Sequence, residues 1–415
     1  MDGFGVNINA LSWKNGELIP ALDRLIDELG TSTWRVVFDM MDWEATNDNA
    51  DPQVANWTYY NALYATAKFQ NLWGTLRYLN QRGVTTGVML SFMGRVPPWM
   101  GGATITNTPA MEDEFVETVA TLVYYARTVE HVQFDLLDPL NEPDWDGIEG
   151  PQVDQWRYPG LLQKLSAKLD ALGLGALRLV GPNTAQVGTG VNAYLPELWD
   201  NSVVMSKLDH FGLHDYSGDA GGADARIKGS PYPQKNFWLT ELSIPEQIFT
   251  LVGQGAAGAQ IWEAYDSVYN HAILAGRGST PPNDAGNLPA LLAYNTGSGT
   301  YSARPQFYQM ATFRYVTPGM VRVGVTEAHA NLTVYAFRHP TTGRVTVVGR
   351  NTGGALTLTG TLSGLGSVGV LQVYRTSASD NFDSFTRGTD AVVTNGAFVV
   401  TVPSNSFFTL TAVGQ

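Results

Sequence analysis

The sequence of 415 residues contains no cysteine. Disulfide bonds, thiolate metal sites and cysteine nucleophiles are therefore excluded. No apolar run approaches the length of about 18 residues that a membrane helix needs, and "MDGFGVNINA" at the start lacks the basic and apolar regions of a signal peptide. We predict no membrane span, and we expect a secreted or extracytoplasmic protein whose signal peptide is not part of this sequence.

Charged residues are also scarce, at 15% of the chain, and the acidic ones prevail. Lys and Arg number 25 against 38 Asp and Glu, so the net charge of −13 would repel phosphate backbones and makes nucleic acid an unfavourable partner. What is abundant is glycine, with 44 residues, and aromatic side chains, at 11%. This composition is typical of a folded, loop-rich globular protein, and we expect a monomer that binds a neutral or basic ligand.

Up to residue 317, short apolar or β-branched runs alternate with longer amphipathic segments such as "MEDEFVETVATLVYYARTV", a pattern typical of βα units. The strand-like runs are "GFGVNI", "TWRVVFDM", "VTTGVMLSF", "VQFDLLDPL", "LRLVGP", "LDHFGLHDY", "NFWLTEL" and "GAQIWEA". Eight such runs predict a (β/α)8 TIM barrel over residues 1–317. A doubly wound sheet or two smaller α/β domains remain alternatives, although no phosphate-binding loop or G-x-G-x-x-G turn follows any run.

Residues 318–415 lose the helical period and read as alternating strands separated by Gly, Ser, Thr and Asn turns, for example "LTVYAFRH", "RVTVVGRN" and "GVLQVYRT". No Pro/Ser/Gly-rich linker precedes them. We therefore predict a C-terminal β-sandwich packed against the side of the barrel.

Two glutamates follow strand-like runs, Glu142 after the fourth run and Glu241 at the end of the seventh. The C-terminal ends of barrel strands line the active site of such folds. Two carboxylates about 5 Å apart suit retaining glycoside hydrolysis, in which one is acid and base and the other the nucleophile. The alternatives are that Glu142 caps a helix and that Glu241 is a surface charge.

Polar residues also occur in other strand-like runs. Arg35 interrupts an apolar strand, where a buried arginine needs a carboxylate partner, and a cation there would keep Glu241 ionised. The alternative is an exposed arginine at a strand edge, although a closed barrel has no edges. His214 and Tyr216 in "GLHDYSG" are expected to hydrogen-bond near the nucleophile. The six histidines form no H-E-x-x-H motif, so we expect no metal site, and His210 is interpreted as structural or exposed.

Three tryptophans occur in loops or at strand ends, where an aromatic face can stack on a sugar: Trp99, Trp145 and Trp262. Trp262 is the candidate for the platform beside the cleaved bond. Packing in the core is the alternative for all three. Glu263, next to Trp262, is the rival of Glu241 as nucleophile, although it follows the eighth strand.

The stretches "DGFGVNI", "PLNEPDW", "HDY", "FWLTELS" and "PQFYQMATFRYVTPGMVRV" together resemble the clan of retaining β-glycosidases with a (β/α)8 barrel, and within it glycoside hydrolase family 30. The resemblance covers nearly the whole chain. It implies a barrel with a side β-sandwich, cleavage of β-linked polysaccharides such as glucuronoxylan, β-1,6-glucan or β-1,6-galactan, and no cofactor.

Residue by residue, the resemblance implies that Glu142 is the acid/base, that Glu241 is the nucleophile and that Asn141 binds the sugar 2-hydroxyl. It places Arg35, His214, Tyr216 and Trp262 in the supporting shell. The alternatives are a β-1,4-glucanase or mannanase, an exo-acting glycosidase of the same clan, a non-catalytic carbohydrate-binding barrel, or a metal-dependent barrel hydrolase.

Overall fold

The structure is a computed structural model that describes residues 1–40, 43–145, 147, 149–266, 290–295, 297–327, 329–364, 368–385 and 389–412. Eight parallel strands close a barrel in sequence order. They are β1 (Gly3–Asn9), β2 (Thr33–Asp39), β3 (Val88–Met93), β4 (Leu136–Asp138), β5 (Arg178–Thr184), β6 (Leu208–His214), β7 (Phe237–Leu242) and β8 (Gly258–Ile261). Strand β8 pairs with β1, which completes the ring and confirms the predicted TIM barrel.

Helices connect the barrel strands and form its outer layer. They are α1 (Ile19–Asp27), α2 (Trp57–Tyr64), α3 (Ala67–Gln81), α4 (Pro109–Thr128), α5 (Tyr158–Ala171), α6 (Val187–Thr189), α7 (Leu195–Trp199), α8 (Ser202–Lys207), α9 (Ala223–Lys228), α10 (Glu246–Gly253) and α11 (Pro305–Met310). None of the described helices combines the length and the apolar character that would let it cross a membrane.

Helix α4 shows how local sequence sets a helix in this outer layer. The Thr108 hydroxyl caps the helix by accepting from the Met111 amide, and Pro109 occupies the first turn, where its missing N–H costs nothing. Phe115, Leu122 and others at helical spacing bury an apolar stripe against the barrel. The same helix also buries Glu114 and Glu117, an unusual position for carboxylates.

The barrel interior changes from apolar to polar along its axis. Met89, Leu136, Val180 and Trp238 form one apolar cluster of buried side chains. Alternate residues of a strand face the same side, so Ser91, Asp138 and Thr240 are the next inward positions after Met89, Leu136 and Trp238 toward the C-terminal ends. Polar side chains therefore accumulate at the end of the barrel where the site residues lie.

The C-terminal part is a β-sandwich. A six-stranded sheet in the order β11 (Val321–Val323), β12 (Leu332–Arg338), β13 (Val345–Asn351), β18 (Ser406–Ala412), β15 (Val370–Thr376) and β16 (Thr389–Val392) accompanies a pair formed by β14 (Leu356–Thr361) and β17 (Ala397–Val402). Strand β17 alternates exposed and buried residues, as a strand with one face on a core should. A separate pair, β9 (Leu292–Asn295) and β10 (Thr300–Ala303), precedes the sandwich.

The sandwich packs directly on the barrel, as predicted. The ring of Phe249 in α10 lies 5.9 Å from that of Phe407 in β18, and the Thr409 hydroxyl donates to the Thr312 carbonyl at 2.7 Å. These contacts make one continuous apolar core across the junction. The division after residue 317 stays a prediction, although the first strand of the sandwich begins at Val321.

Candidate active site

Glu142 lies just beyond β4 and is held there by both neighbouring strands. The Asn141 amide donates to the Phe92 carbonyl at 3.1 Å, and the Glu142 amide donates to the Asn183 carbonyl at 2.9 Å. The backbone of Glu142 is left-handed, with φ of 43°, which costs roughly 1–2 kcal/mol for a residue with a side chain. Such strained positions cluster at functional sites. The carboxylate contacts His214, and among the described residues it caps no helix.

Glu241 projects from β7 beside the same histidine. His214 Nδ1 lies 2.9 Å from Glu142 Oε1 and 3.5 Å from Glu241 Oε2. One ligand atom from each of these three side chains falls within 4.8 Å of the others. Glu142 is 6% exposed and Glu241 is 3% exposed, so the two carboxylates share a nearly dehydrated space. Their proximity matches the spacing of about 5 Å in retaining glycosidases rather than the 6.5 Å or more of inverting ones.

Arg35 lies in the middle of β2 and is completely buried. Its Nη1 donates to Glu241 Oε1 at 2.5 Å, and its Nη2 donates to Asp138 Oδ2 at 3.0 Å. The same guanidinium donates to the side-chain oxygens of Asn7 at 3.0 Å and Asn141 at 2.6 Å. Burial opposes the charge of Arg35, but the two carboxylates raise its pKa above the ordinary value, so the cation is permanent.

Burial raises the pKa of Glu142 to about 7, although the hydrogen bond from His214 works in the opposite direction. The charge of Glu241 adds to the increase. For His214, burial opposes protonation, but the carboxylates of Glu241 and Glu142 prevail and raise its pKa. Glu142 is therefore the carboxyl that holds a proton near neutral pH, whereas Glu241 faces a fixed cation.

Of two further predicted residues, Tyr216 contacts Glu241 and Asn141 contacts Arg35. The Tyr216 hydroxyl donates to Glu241 Oε2, so both oxygens of Glu241 accept hydrogen bonds. Asn141 is fixed through both ends of its amide, since Oδ1 accepts from Arg35 and Nδ2 donates to the Glu149 carbonyl at 3.0 Å. Because an amide nitrogen carries two hydrogens, one N–H of Asn141 can still donate to a ligand.

The three predicted tryptophans differ in exposure. Trp262 immediately follows β8, is 8% exposed and packs with Val37 and Met93. Trp145 is 44% exposed, and its amide donates to the Glu142 carbonyl at 3.1 Å. Trp99 is half-buried and donates through Nε1 to the Glu44 carbonyl at 2.8 Å. Of the three tryptophans, Trp145 is the most exposed.

Glu263 and His210, the other candidates from the sequence, do not belong to the group around Glu142 and Glu241 among the described residues. Glu263 is buried but is not a member of the group that Glu142, His214 and Glu241 form within the described part of the chain. His210 is buried and stacks on Trp238 with ring centroids 3.7 Å apart, which agrees with the structural interpretation. A metal ion bound among Glu142, His214 and Glu241 would need a neutral imidazole as a ligand. The raised pKa of His214 favours the protonated ring, which cannot bind a metal.

Sequence reasoning missed several residues that support the site. Asp138 accepts from Ser91 Oγ at 2.6 Å as well as from Arg35, and the Asn7 amide donates to the Thr240 carbonyl at 3.0 Å. All of them are buried. A polar residue inside an apolar strand signals a buried polar contact. This signal marks Asn7 in "GVNIN" and Asp138 in "LLDPL" as well as Arg35.

No protein-family model matches the sequence, and no curated protein matches it. Solved structures match over nearly the whole chain. A family 30 subfamily 8 xylanase from Clostridium acetobutylicum gives a TM-score of 0.70 at 18% identity, covering 99% of this chain and 96% of the xylanase.

The catalytic domain of a family 30 xylanase C from Talaromyces cellulolyticus gives 0.71 at 16% identity, covering 100% of this chain and 97% of that one. An endo-β1,6-glucanase gives 0.69 at 16% identity, covering 100% and 92%. At these identities the likeness establishes the architecture and leaves the substrate open. The chain has the fold of the family 30 glycoside hydrolases, a (β/α)8 barrel with a C-terminal side β-sandwich.

Proposed function

We propose that this protein is a retaining glycoside hydrolase that cleaves a β-linked polysaccharide or oligosaccharide by double displacement. The observation that carries the proposal is the pair Glu142 and Glu241, which lies within reach of one histidine at the end of the barrel, with each carboxylate in a different electrostatic environment. Unequal environments are what separate an acid from a nucleophile in such pairs.

In the first step Glu241 attacks the anomeric carbon and Glu142 gives its proton to the departing oxygen. Arg35 and Tyr216 hold Glu241 in place through both of its oxygens. A covalent glycosyl-enzyme forms, the leaving group departs as an alcohol, and Glu142 becomes a carboxylate.

In the second step the loss of charge on Glu241 changes Glu142. The charge of Glu241 is one cause of the raised pKa of Glu142, so its esterification lowers that pKa. Glu142 then acts as a base on a water molecule, which attacks the anomeric carbon and releases Glu241. Asn141, fixed by Arg35 and the Glu149 carbonyl, donates its remaining N–H to the sugar 2-hydroxyl, an interaction that strengthens toward the transition state.

The substrate class is tested by product release from glucuronoxylan, β-1,6-glucan, β-1,6-galactan, cellulose and mannan. Wild type is compared with Glu241→Gln and with Glu246→Gln, a matched change in the first turn of α10 that leaves the pair intact. Release from at least one polymer, lost in Glu241→Gln and kept in Glu246→Gln, supports the proposal. Equal release by all three proteins contradicts the role of Glu241. A ladder of products indicates endo action, and a single small product indicates exo action.

A second test separates the roles of the two glutamates. In Glu142→Gln, we expect hydrolysis of the natural polymer to fall by about 10²–10⁴-fold, the usual contribution of general acid catalysis. An aryl glycoside whose leaving group needs no proton should suffer much less in its first step. The same loss with both substrates would contradict the acid role.

The second candidate is a carbohydrate-binding barrel without catalysis, which the exposed Trp145 beside the pair would also suit. Binding of a polymer with no product and no effect of Glu241→Gln would favour it. An extracytoplasmic location stays a prediction.

A further inference from the structure

A second group of carboxylates lies outside the proposed active site, between the segment after β2 and helix α4. Asp48 comes from that segment, and Glu114 and Glu117 come from successive turns of α4, three residues apart and so on one face of the helix. Their ligand atoms all lie within 4.8 Å of one another. Glu114 is 4% exposed and Glu117 is 1% exposed.

The carboxylate of Glu117 has no hydrogen-bond donor for either oxygen among the described residues. Asp48 Oδ1 and Glu114 Oε2 are likewise buried without a donor, although Glu114 Oε1 accepts from the Asn47 amide at 3.1 Å. A buried carboxylate with no donor is costly unless it is protonated or coordinates a cation. Four oxygens of these three clustered side chains therefore have no hydrogen-bond donor among the described residues.

Lys168 is the cation whose charge acts on this group, but it donates no hydrogen bond to the unpaired carboxylate oxygens. The charge of Lys168 acts on Glu117, but its ammonium group donates to the carbonyls of Pro52 at 3.1 Å and Gln53 at 3.2 Å. A fourth carboxylate, Glu44, is also fully buried nearby and accepts from the Thr118 hydroxyl. The charge of Glu44 also acts on Glu117, as do those of Asp48 and Glu114.

We propose that Asp48, Glu114 and Glu117 form a structural calcium site. Hard oxygen ligands exclude soft metals. Calcium accepts six to eight oxygens in irregular geometry, mostly from the protein, whereas magnesium keeps several waters and needs near-octahedral geometry. A group of three carboxylates, two of them almost completely buried, with four oxygens that lack a hydrogen-bond donor among the described residues, fits calcium. This proposal departs from the sequence-based expectation of no metal.

The site would fasten the segment that follows β2 to helix α4. The segment also contacts the loop after β3, because the Glu44 carbonyl accepts from Trp99 Nε1 at 2.8 Å. A cation at this position therefore stabilises a wall close to the C-terminal ends of β2 and β3 without entering the proposed chemistry.

The test is thermal unfolding of the full chain after dialysis against EDTA, alone and with CaCl2 or MgCl2. At a calcium concentration about a hundredfold above Kd, we expect the melting temperature to rise by about 3 °C, and less with magnesium. Glu117→Gln and Asp48→Asn should lose most of this rise. Asp113→Asn, which removes a charge from the same helix but pairs with Lys164 at the surface, should keep it. Titration calorimetry should show one calcium bound per chain.

Two results would overturn the proposal. One is no bound calcium and no change in melting temperature. A higher melting temperature for Glu117→Gln than for wild type would then show that the group holds protons instead. The other is an equal calcium response in wild type, Glu117→Gln and Asp48→Asn. If Glu117→Gln does not fold, Asp48→Asn decides, because Asp48 lies in a half-buried loop.

Discussion

Arg35→Met tests the electrostatic centre of the site without any substrate. The substitution keeps an unbranched side chain but removes a buried cation that contacts Glu241 at 2.5 Å and Asp138 at 3.0 Å. Breaking a buried ion pair from one side costs about 3–5 kcal/mol, because the remaining charge stays buried and unpaired. With an unfolding entropy of about 2.1 cal/mol/K per residue, this corresponds to a fall in melting temperature of about 3–6 °C.

The matched control is Arg77→Met, which removes an arginine that is 43% exposed and paired with Glu130. An exposed pair contributes about 0–1 kcal/mol, so we expect a fall of about 1 °C or less. Both variants are measured by calorimetry at pH 7 and pH 4.5. Burial already raises the pKa of Asp138, and Arg35 opposes this increase, so Asp138 takes up a proton more readily in the folded variant.

The sign of the pH effect follows from that change. A group whose pKa is higher in the folded than in the unfolded protein contributes stability that is lost as the pH rises through the folded pKa. The loss of stability of Arg35→Met relative to wild type should therefore be full at pH 7 and smaller at pH 4.5. An Arg35→Met protein as stable as Arg77→Met, or a deficit that is the same at both pH values, would refute the reasoning.

Two further predictions concern the acid and its support. Because the pKa of Glu142 is about 7, the rate on an unactivated substrate should fall about tenfold per pH unit above pH 7. In a pH–rate profile, Glu142→Gln should abolish this dependence. A fall in the wild-type rate that begins near pH 5 would contradict the prediction. A Cβ at Gly150 would lie 1.6 Å from the Asn141 carbonyl oxygen, so Gly150→Ala should displace Asn141 and lower kcat/KM on the same substrate by at least about tenfold. The control is Gly160→Ala in α5, where the added carbon has open space; it should leave kcat/KM unchanged and leave the stability of the protein unchanged or increased. Equal kcat/KM in both variants would contradict the role of Gly150.

The barrel could be predicted from the sequence because each strand is an apolar run bounded by turns and each helix has an apolar stripe. That Glu142 and Glu241 lie close together could also be predicted, because the carboxyl ends of barrel strands converge whatever the conformation of the loops. The exposure of Trp145 and the burial of Trp262 could not be predicted, because they depend on loop conformation after β4 and β8.

The network around Arg35 was only partly predictable. A buried arginine demands a carboxylate, but the choice of Asp138 and Asn7 as additional partners depends on the register of a closed barrel, in which Asn7 pairs with Arg35 across β1 and β2. The grouping of Asp48, Glu114 and Glu117 could not be predicted from the sequence for a similar reason. Glutamates three apart on a helix usually mark a solvated face, and only the fold brings Asp48 over them.

The most direct test of the central claim is the anomeric configuration of the first product, followed by proton NMR during hydrolysis of whichever β-linked polymer the product screen identifies. Carboxylates with oxygens within 4.8 Å leave no room for a water molecule between nucleophile and sugar, so the account predicts that the β anomer appears first and mutarotates later. First appearance of the α anomer would show inversion and would contradict Glu241 as nucleophile.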